Sequence, residues 1–180
     1  MPTYVALLRG INLGSKRRVA MADLRSLLEG IGYDDVRTHL QSGNAVFRAG
    51  TRSAAAVRSA VHDGIADELG MAVDVVGRTA AQLAKVVEAD PYAGTATDPA
   101  RYLVTFLDKA PAKGWLADVD VADFEPEQVE VRGSEVYLWL PKGVHASRLA
   151  RLIGDKKLGG TATSRNWNVV TKLAELAAAD

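Results

Sequence analysis

The chain has 180 residues, 48% of them hydrophobic, with 22 basic side chains against 22 acidic ones. That length fits one ordinary domain or two small ones sharing a core, and a net charge of zero argues against a domain whose main business is coating nucleic acid. The absence of cysteine excludes disulfides, thiolate metal sites and cysteine nucleophiles.

Thr3 to Arg9 is short and almost continuously apolar, as a buried strand should be. Its apolar run, Tyr4 to Leu8, is too short for a secretory segment or a membrane span, so a cytoplasmic protein with no membrane partner is expected. A basic loop follows, Gly10 to Arg18. Met21, Leu24, Leu27, Leu28 and Ile31 then recur at helical spacing, with Gly32 as a C-terminal cap. Val36–Leu40 and Asn44–Arg48 read as a hairpin turning on Gly43. Val57, Val61, Ile65 and Leu69 place a helix over Ala54–Leu69, Met71–Val76 reads as a strand, and Thr79–Ala89 as a helix ending before Pro91.

The second half repeats that order. Arg101–Leu107 is a strand, a short helix is expected around Lys113–Asp118, and a hairpin turns on Arg132–Ser134. A helix from about His145 to Gly154, a short strand at Thr161–Thr163 and a closing helix from Arg165 complete it. Twice, then, the order is β-α-β-β-α-β followed by a helix, which is the split βαβ unit. The predicted fold is α+β: two related ferredoxin-like βαββαβ subdomains with mainly antiparallel sheets, helices on one face and a C-terminal helix. The first subdomain spans 1–90, a Pro/Gly/Thr-rich linker 91–100, and the second subdomain with its helix 101–180. One larger continuous sheet is the alternative.

Charge is uneven along this plan. Residues 1–80 carry ten basic and eight acidic side chains, 81–141 carry five and eleven, and 142–180 carry seven and three. A neutral total therefore leaves room for a local anion site. In a split βαβ unit the end of strand one and the turn between strands two and three share an edge of the sheet. Arg9–Asn12 and Gln41–Asn44 should therefore be neighbours. In the second half the matching edge carries Asp108–Pro111 and Arg132–Ser134, which are chemically plainer.

Three donor-rich segments thus point to an anionic ligand. The first is the basic loop with Arg9, Asn12 and Lys16, whose glycines let a ligand approach the backbone. It is not a Walker loop, because three residues rather than four separate its glycines and Arg17 follows Lys16. The second is the turn with Gln41 and Asn44. The third is the start of the last helix, where Thr163 or Ser164 would cap, and where Arg165, Asn168 and Lys172 at i, i+3 and i+7 would share a face. Trp167 falls on the apolar face as an anchor, and Lys172 is also placed to pair with Glu175. The bland alternatives are a solvated loop, an ordinary turn and an amphipathic terminal helix.

No catalytic residue is assigned. His39 lies on the same strand face as Gln41 and is a candidate general base, a site carboxylate being the alternative. Ser42 lacks a nucleophile-elbow pattern. The three histidines, His39, His62 and His145, lack metal-ligand spacing, and the acidic stretch Asp118–Glu127 lacks that of a calcium loop. No metal and no cofactor are expected. Tyr4 and Phe47 fall in suitable strands for sheet-face RNA binding, but the octamer that such binding needs is missing.

Three stretches together, Tyr4–Phe47, Arg101–Leu107 and Thr163–Leu176, resemble the domain of unknown function 1697 family of bacterial proteins. The resemblance implies two related βαββαβ subdomains and no activity. The family-like motifs are Arg9–Asn12, Gln41–Asn44 and Arg165–Asn168 with Thr171 and Lys172; Ala20 and Ser15 stand where proline and glycine are common in the family. The leading expectation is a monomer that binds a phosphate-bearing ligand, a nucleotide or a nucleic-acid backbone. The expected site is basic and polar, lies between the subdomains and uses Arg9, Asn12, Lys16, Gln41, Asn44, Arg165, Asn168 and Lys172. A small-molecule enzyme using the same site, and a structural module without catalysis, are the alternatives.

Overall fold

A computed structural model describes residues 1–50, 53–154 and 158–179. The chain divides into two compact units, residues 1–85 with 172–180 and residues 86–171. Each holds a four-stranded antiparallel sheet.

In the first unit the elements are β1 (Thr3–Leu8), α1 (Met21–Gly30), β2 (Asp34–His39), β3 (Asn44–Arg48), α2 (Ala54–Leu69) and β4 (Val75–Thr79). The sheet order is β2-β3-β1-β4, so β1 lies between β3 and β4. Tyr4, Ala6 and Leu8 alternate onto the face that α1 and α2 cover, packing with Leu24, Leu28, Phe47, Val61 and Ile65. Val5 and Leu7 on the opposite face are also fully buried, which is why β1 is continuously hydrophobic from Tyr4 to Leu8. Tyr33 and Phe47 stack at 4.6 Å between ring centroids.

Local chemistry sets the helix ends. Ser53 caps α2 by accepting from the Ala56 amide, and Gly70 ends it in a left-handed conformation. Helix α3 (Ala80–Ala89) starts with a reciprocal capping box: Thr79 N–H donates to Gln82 Oε1 at 2.9 Å, and Gln82 N–H to Thr79 Oγ1 at 3.1 Å.

Strand β4 is the first departure from expectation. Met71–Asp74 is irregular, and the strand runs Val75–Thr79 through Gly77 and Arg78. Its register against β1, from Leu8↔Val75 to Tyr4↔Thr79, fixes its length rather than its apolar content. Gly77 belongs there because a Cβ would stand 2.9 Å from the Ala54 carbonyl oxygen.

The second unit holds β5 (Tyr102–Leu107), β6 (Gln128–Arg132), β7 (Glu135–Trp139), α4 (Arg148–Leu152) and β8 (Ala162–Asn166), in the order β6-β7-β5-β8. The last helix, α5 (Trp167–Ala178), begins in this unit, and Lys172 onward is grouped with the first. Leu107, Val136, Leu138, Leu149 and Ala162 form a core that Trp115 and Phe124 help to cover.

Helices are poorer here than expected. Lys113–Asp118 forms successive turns, with Trp115, Ala117 and Val119 amides bonded three residues back and Gly114 at φ 75°. A 3₁₀ turn follows at Val121–Phe124. The helix expected from His145 begins as a 3₁₀ turn at Val144–Ala146 and becomes α-helical only at Arg148, capped by Ser147. Residues 91–100 are grouped with the second unit. Tyr102 Oη donates to Asp90 Oδ1 at 2.9 Å, and the Tyr92 ring packs edge-on against Tyr102 at 5.6 Å, holding this stretch inside the second unit.

Candidate functional site

The loop edge of the first unit follows from the sheet order. The Leu8 amide donates to the Gly43 carbonyl at 2.8 Å, and the Arg9 amide to the Asp74 carbonyl at 2.9 Å. Arg9–Asn12 and Gln41–Asn44 are therefore neighbours, as the topology requires. Gly43 makes the approach possible: it sits at φ 79°, and a Cβ there would lie 2.7 Å from both Leu8 Cβ and Ile11 Cδ1.

Asn12 pins the basic loop. Its Nδ2 donates to the Val19 carbonyl at 2.9 Å and the Gln41 carbonyl at 2.6 Å, while its Oδ1 accepts from the Val19 amide at 2.9 Å. Its own amide donates to the Arg17 carbonyl at 3.0 Å, closing the loop on itself. Asn12 also adopts a left-handed φ of 55°, which asparagine tolerates better than most residues. Its side chain is thus committed to architecture. Asn44 is fully buried, and its Nδ2 donates to the His39 carbonyl at 2.8 Å and Ser42 Oγ at 3.0 Å, which holds the turn.

The cations divide by what they already touch. Arg9 pairs with Asp74 at 3.7 Å, both about half exposed, so part of its charge is answered by an acid from a distant segment. Arg17 donates to the Ala72 carbonyl. Lys16 and Arg18 are exposed and make no hydrogen bond or ion pair with the described residues. Gln41 is exposed at the adjoining turn.

The third segment is rearranged relative to expectation. Arg165 lies in β8, paired in register with Val104, and the helix begins two residues later. Asn166, not Thr163 or Ser164, caps α5, its Oδ1 accepting from the Val169 amide at 3.1 Å. Arg165, Asn168 and Lys172 therefore do not form a helical face. Arg165 is 8% exposed and donates to Thr163 Oγ1 and the Ser164 carbonyl, both at 2.8 Å. Burial pushes its guanidinium down to about 10. Trp167 stacks on Tyr102 with centroids 4.5 Å apart, Lys172 pairs with Glu175 at 3.0 Å, and the Asn168 side chain is exposed.

The second unit repeats the loop-edge bonds with different side chains. Leu107 N–H donates to the Ser134 carbonyl at 2.9 Å and Asp108 N–H to the Thr161 carbonyl at 3.0 Å, matching Leu8 and Arg9. An acid thus stands where the first unit has a cation. A cavity of about 210 Å³ lies elsewhere in this unit, beside Phe124, Pro126, Lys142 and Arg148, and none of the predicted site residues lines it. The His39 imidazole makes no hydrogen bond with the described residues. Among those residues no group of three or more His, Asp or Glu side chains is placed to hold a metal ion, and no helix is long and apolar enough to cross a membrane.

Comparison with known proteins gives the chain a family. A model described as "Protein of unknown function (DUF1697)" matches residues 1–137, so the chain belongs to that family. The match covers the loop and turn motifs and ends before the Thr163–Leu176 motif. Among solved structures, the chain is similar to the conserved bacterial protein SP0830 from Streptococcus pneumoniae, at 22% identity and a TM-score of 0.70, with 98% of each chain covered. That likeness bears on the fold. No curated protein matches the chain.

Proposed function

We propose that this member of the DUF1697 family binds a phosphate-bearing ligand at the loop edge of its first unit. Lys16 and Arg18, with Arg17 and Arg9 beside them, would supply the charge. The observation that carries the proposal is the contrast between backbone and side chains in this loop. The backbone is fixed by four hydrogen bonds of Asn12, whereas Lys16 and Arg18 are exposed and bonded to none of the described residues. A fixed loop presenting solvated cations binds an anion without having to order itself first. Gln41 adds a neutral donor from the adjoining turn. Asn12 and Asn44 act by shaping the loop and the turn rather than by touching the ligand.

Fluorescence anisotropy of a labelled 12-nucleotide single strand, with ATP and inorganic pyrophosphate as competitors, tests the proposal. Binding at 20 mM NaCl should weaken at least tenfold in Lys16→Glu/Arg18→Glu and fall steeply with salt. No binding of any phosphate compound at low salt, or equal binding by the charge-reversed variant, would overturn it.

A further inference from the structure

The same edge carries an apolar feature that phosphate binding leaves unexplained. Leu13 is 75% exposed and Leu40 57% exposed, two of the few large hydrophobic side chains so exposed among the described residues. Each lies one residue from a partner in the Asn12–Gln41 hydrogen bond, so the two leucines stand at one edge although 27 positions separate them in sequence. Leu40 also holds a left-handed φ of 58°, an unusual conformation for leucine. Lys16, Arg17 and Arg18 follow Leu13 within five residues, and neither Gly10–Ala20 nor Leu40–Asn44 contains an acid or an aromatic residue.

We infer that the phosphate-bearing partner of this edge is the surface of an anionic phospholipid bilayer. Leu13 and Leu40 enter the headgroup boundary while Lys16 and Arg18 face lipid phosphates. The inference rests on the phosphate reading and narrows it to one partner. Aliphatic tips beside cations match the boundary between acyl chains and headgroups. A single-stranded nucleic acid would instead call for aromatic platforms on which bases stack, and these two segments hold none. Exposure of both leucines describes a projecting edge rather than a pocket, which suits a flat surface and not an enclosed nucleotide. Near an anionic leaflet each cation raises partitioning roughly fivefold, and each leucine that leaves water adds roughly tenfold. The product is a weak, reversible, salt-sensitive association of the surface kind.

Sedimentation of the full chain with vesicles tests this, using phosphatidylcholine alone and with about 30% phosphatidylglycerol, at 20 and 150 mM NaCl. Circular dichroism confirms the fold of each variant. The wild type should sediment with the anionic vesicles at least tenfold more tightly than with neutral ones. Leu13→Ser/Leu40→Ser should lose at least tenfold in vesicle binding while keeping its affinity for the labelled single strand. Lys16→Glu/Arg18→Glu should lose both.

Sedimentation of the leucine variant as strongly as the wild type would overturn the inference. Vesicle binding absent at 20 mM NaCl while the single strand still binds would overturn it and leave the phosphate site standing; absence of both would remove both. A wild-type dimer in gel filtration that the leucine substitutions dissociate, without vesicle binding, would assign the leucines to a second copy of the chain and overturn it equally.

Discussion

Replacing the buried Arg165 by methionine should cost the second unit little, no more than about 3 kcal/mol. The Arg165 guanidinium is 8% exposed, and burial lowers it to about 10. That drop, roughly two to three pH units, corresponds to on the order of 3 kcal/mol of penalty for holding the charge out of water at neutral pH. Against it stand the bonds to Thr163 Oγ1 and the Ser164 carbonyl, each worth about 1.5–3 kcal/mol as charge-assisted contacts. Together these two bonds offset the penalty or exceed it by up to about 3 kcal/mol. Methionine keeps most of the side-chain volume and removes the penalty together with these bonds, so Arg165→Met should cost no more than about 3 kcal/mol. Alanine removes the volume as well, and Arg165→Ala should lie about 2–3 kcal/mol below the methionine variant.

Trp115, Trp139 and Trp167 all lie within residues 86–171, so tryptophan fluorescence during urea unfolding is read from probes in this unit. A loss of more than about 3 kcal/mol in Arg165→Met would refute the reasoning, because the buried charge would then contribute net stability that its desolvation does not cancel.

Gly43→Ala places a Cβ 2.7 Å from Leu8 Cβ at a φ of 79° and should cost about 2–4 kcal/mol; the first unit has no tryptophan, so thermal circular dichroism is the measurement. Asn12→Ala removes three side-chain bonds and should cost about 2 kcal/mol, with faster hydrogen exchange at the Val19 amide and weaker single-strand binding. Above pH 9.5 two effects of opposite sign meet in the second unit. Burial raises the Tyr137 phenol to about 12 and also raises Tyr92 and Tyr102. The folded state therefore holds these protons longer, and the stability this gives is complete below pH ~10 and lost as pH rises toward ~12. Arg165 acts the other way, its penalty being full below about 10 and relieved above it. Three phenols outweigh one guanidinium, so the urea midpoint should fall between pH 9.5 and 11, and absorbance at 295 nm should show the phenols of the second unit ionising as it unfolds.

Elements whose identity rests on local pattern were legible in the sequence. The spacing of Val57, Val61 and Ile65, and Gly43 between two β-rich runs, specify α2 and the β2–β3 hairpin without help from distant residues. Elements whose extent rests on a partner were not. Strand β4 includes Gly77 and Arg78 because β1 runs alongside, and Arg165 is a strand residue because β5 lies beside it. The i, i+3, i+7 spacing of Arg165, Asn168 and Lys172 is real in sequence and has no helical face in the fold. Likewise, no acid lies within Arg9–Arg18, yet the fold delivers Asp74 to Arg9 from the approach to β4.

This changes what a run of hydrogen-bond donors signifies. Loops that turn through left-handed conformations leave carbonyls and amides to satisfy, and donor side chains are selected for that work before any ligand is considered. Asn12 closes its loop, Asn44 its turn and Asn166 its helix, and Arg17 bonds the Ala72 carbonyl. Their presence therefore carries no weight as evidence for an anion. Lys16, Arg18, Gln41 and Asn168 are exposed and have no such employment among the described residues, and two of these four are cations on one pinned loop. The matching edge of the second unit has the same backbone bonds with Asp108 in place of Arg9. The same two backbone bonds thus form with a cation or an acid at this position, so they do not require Arg9.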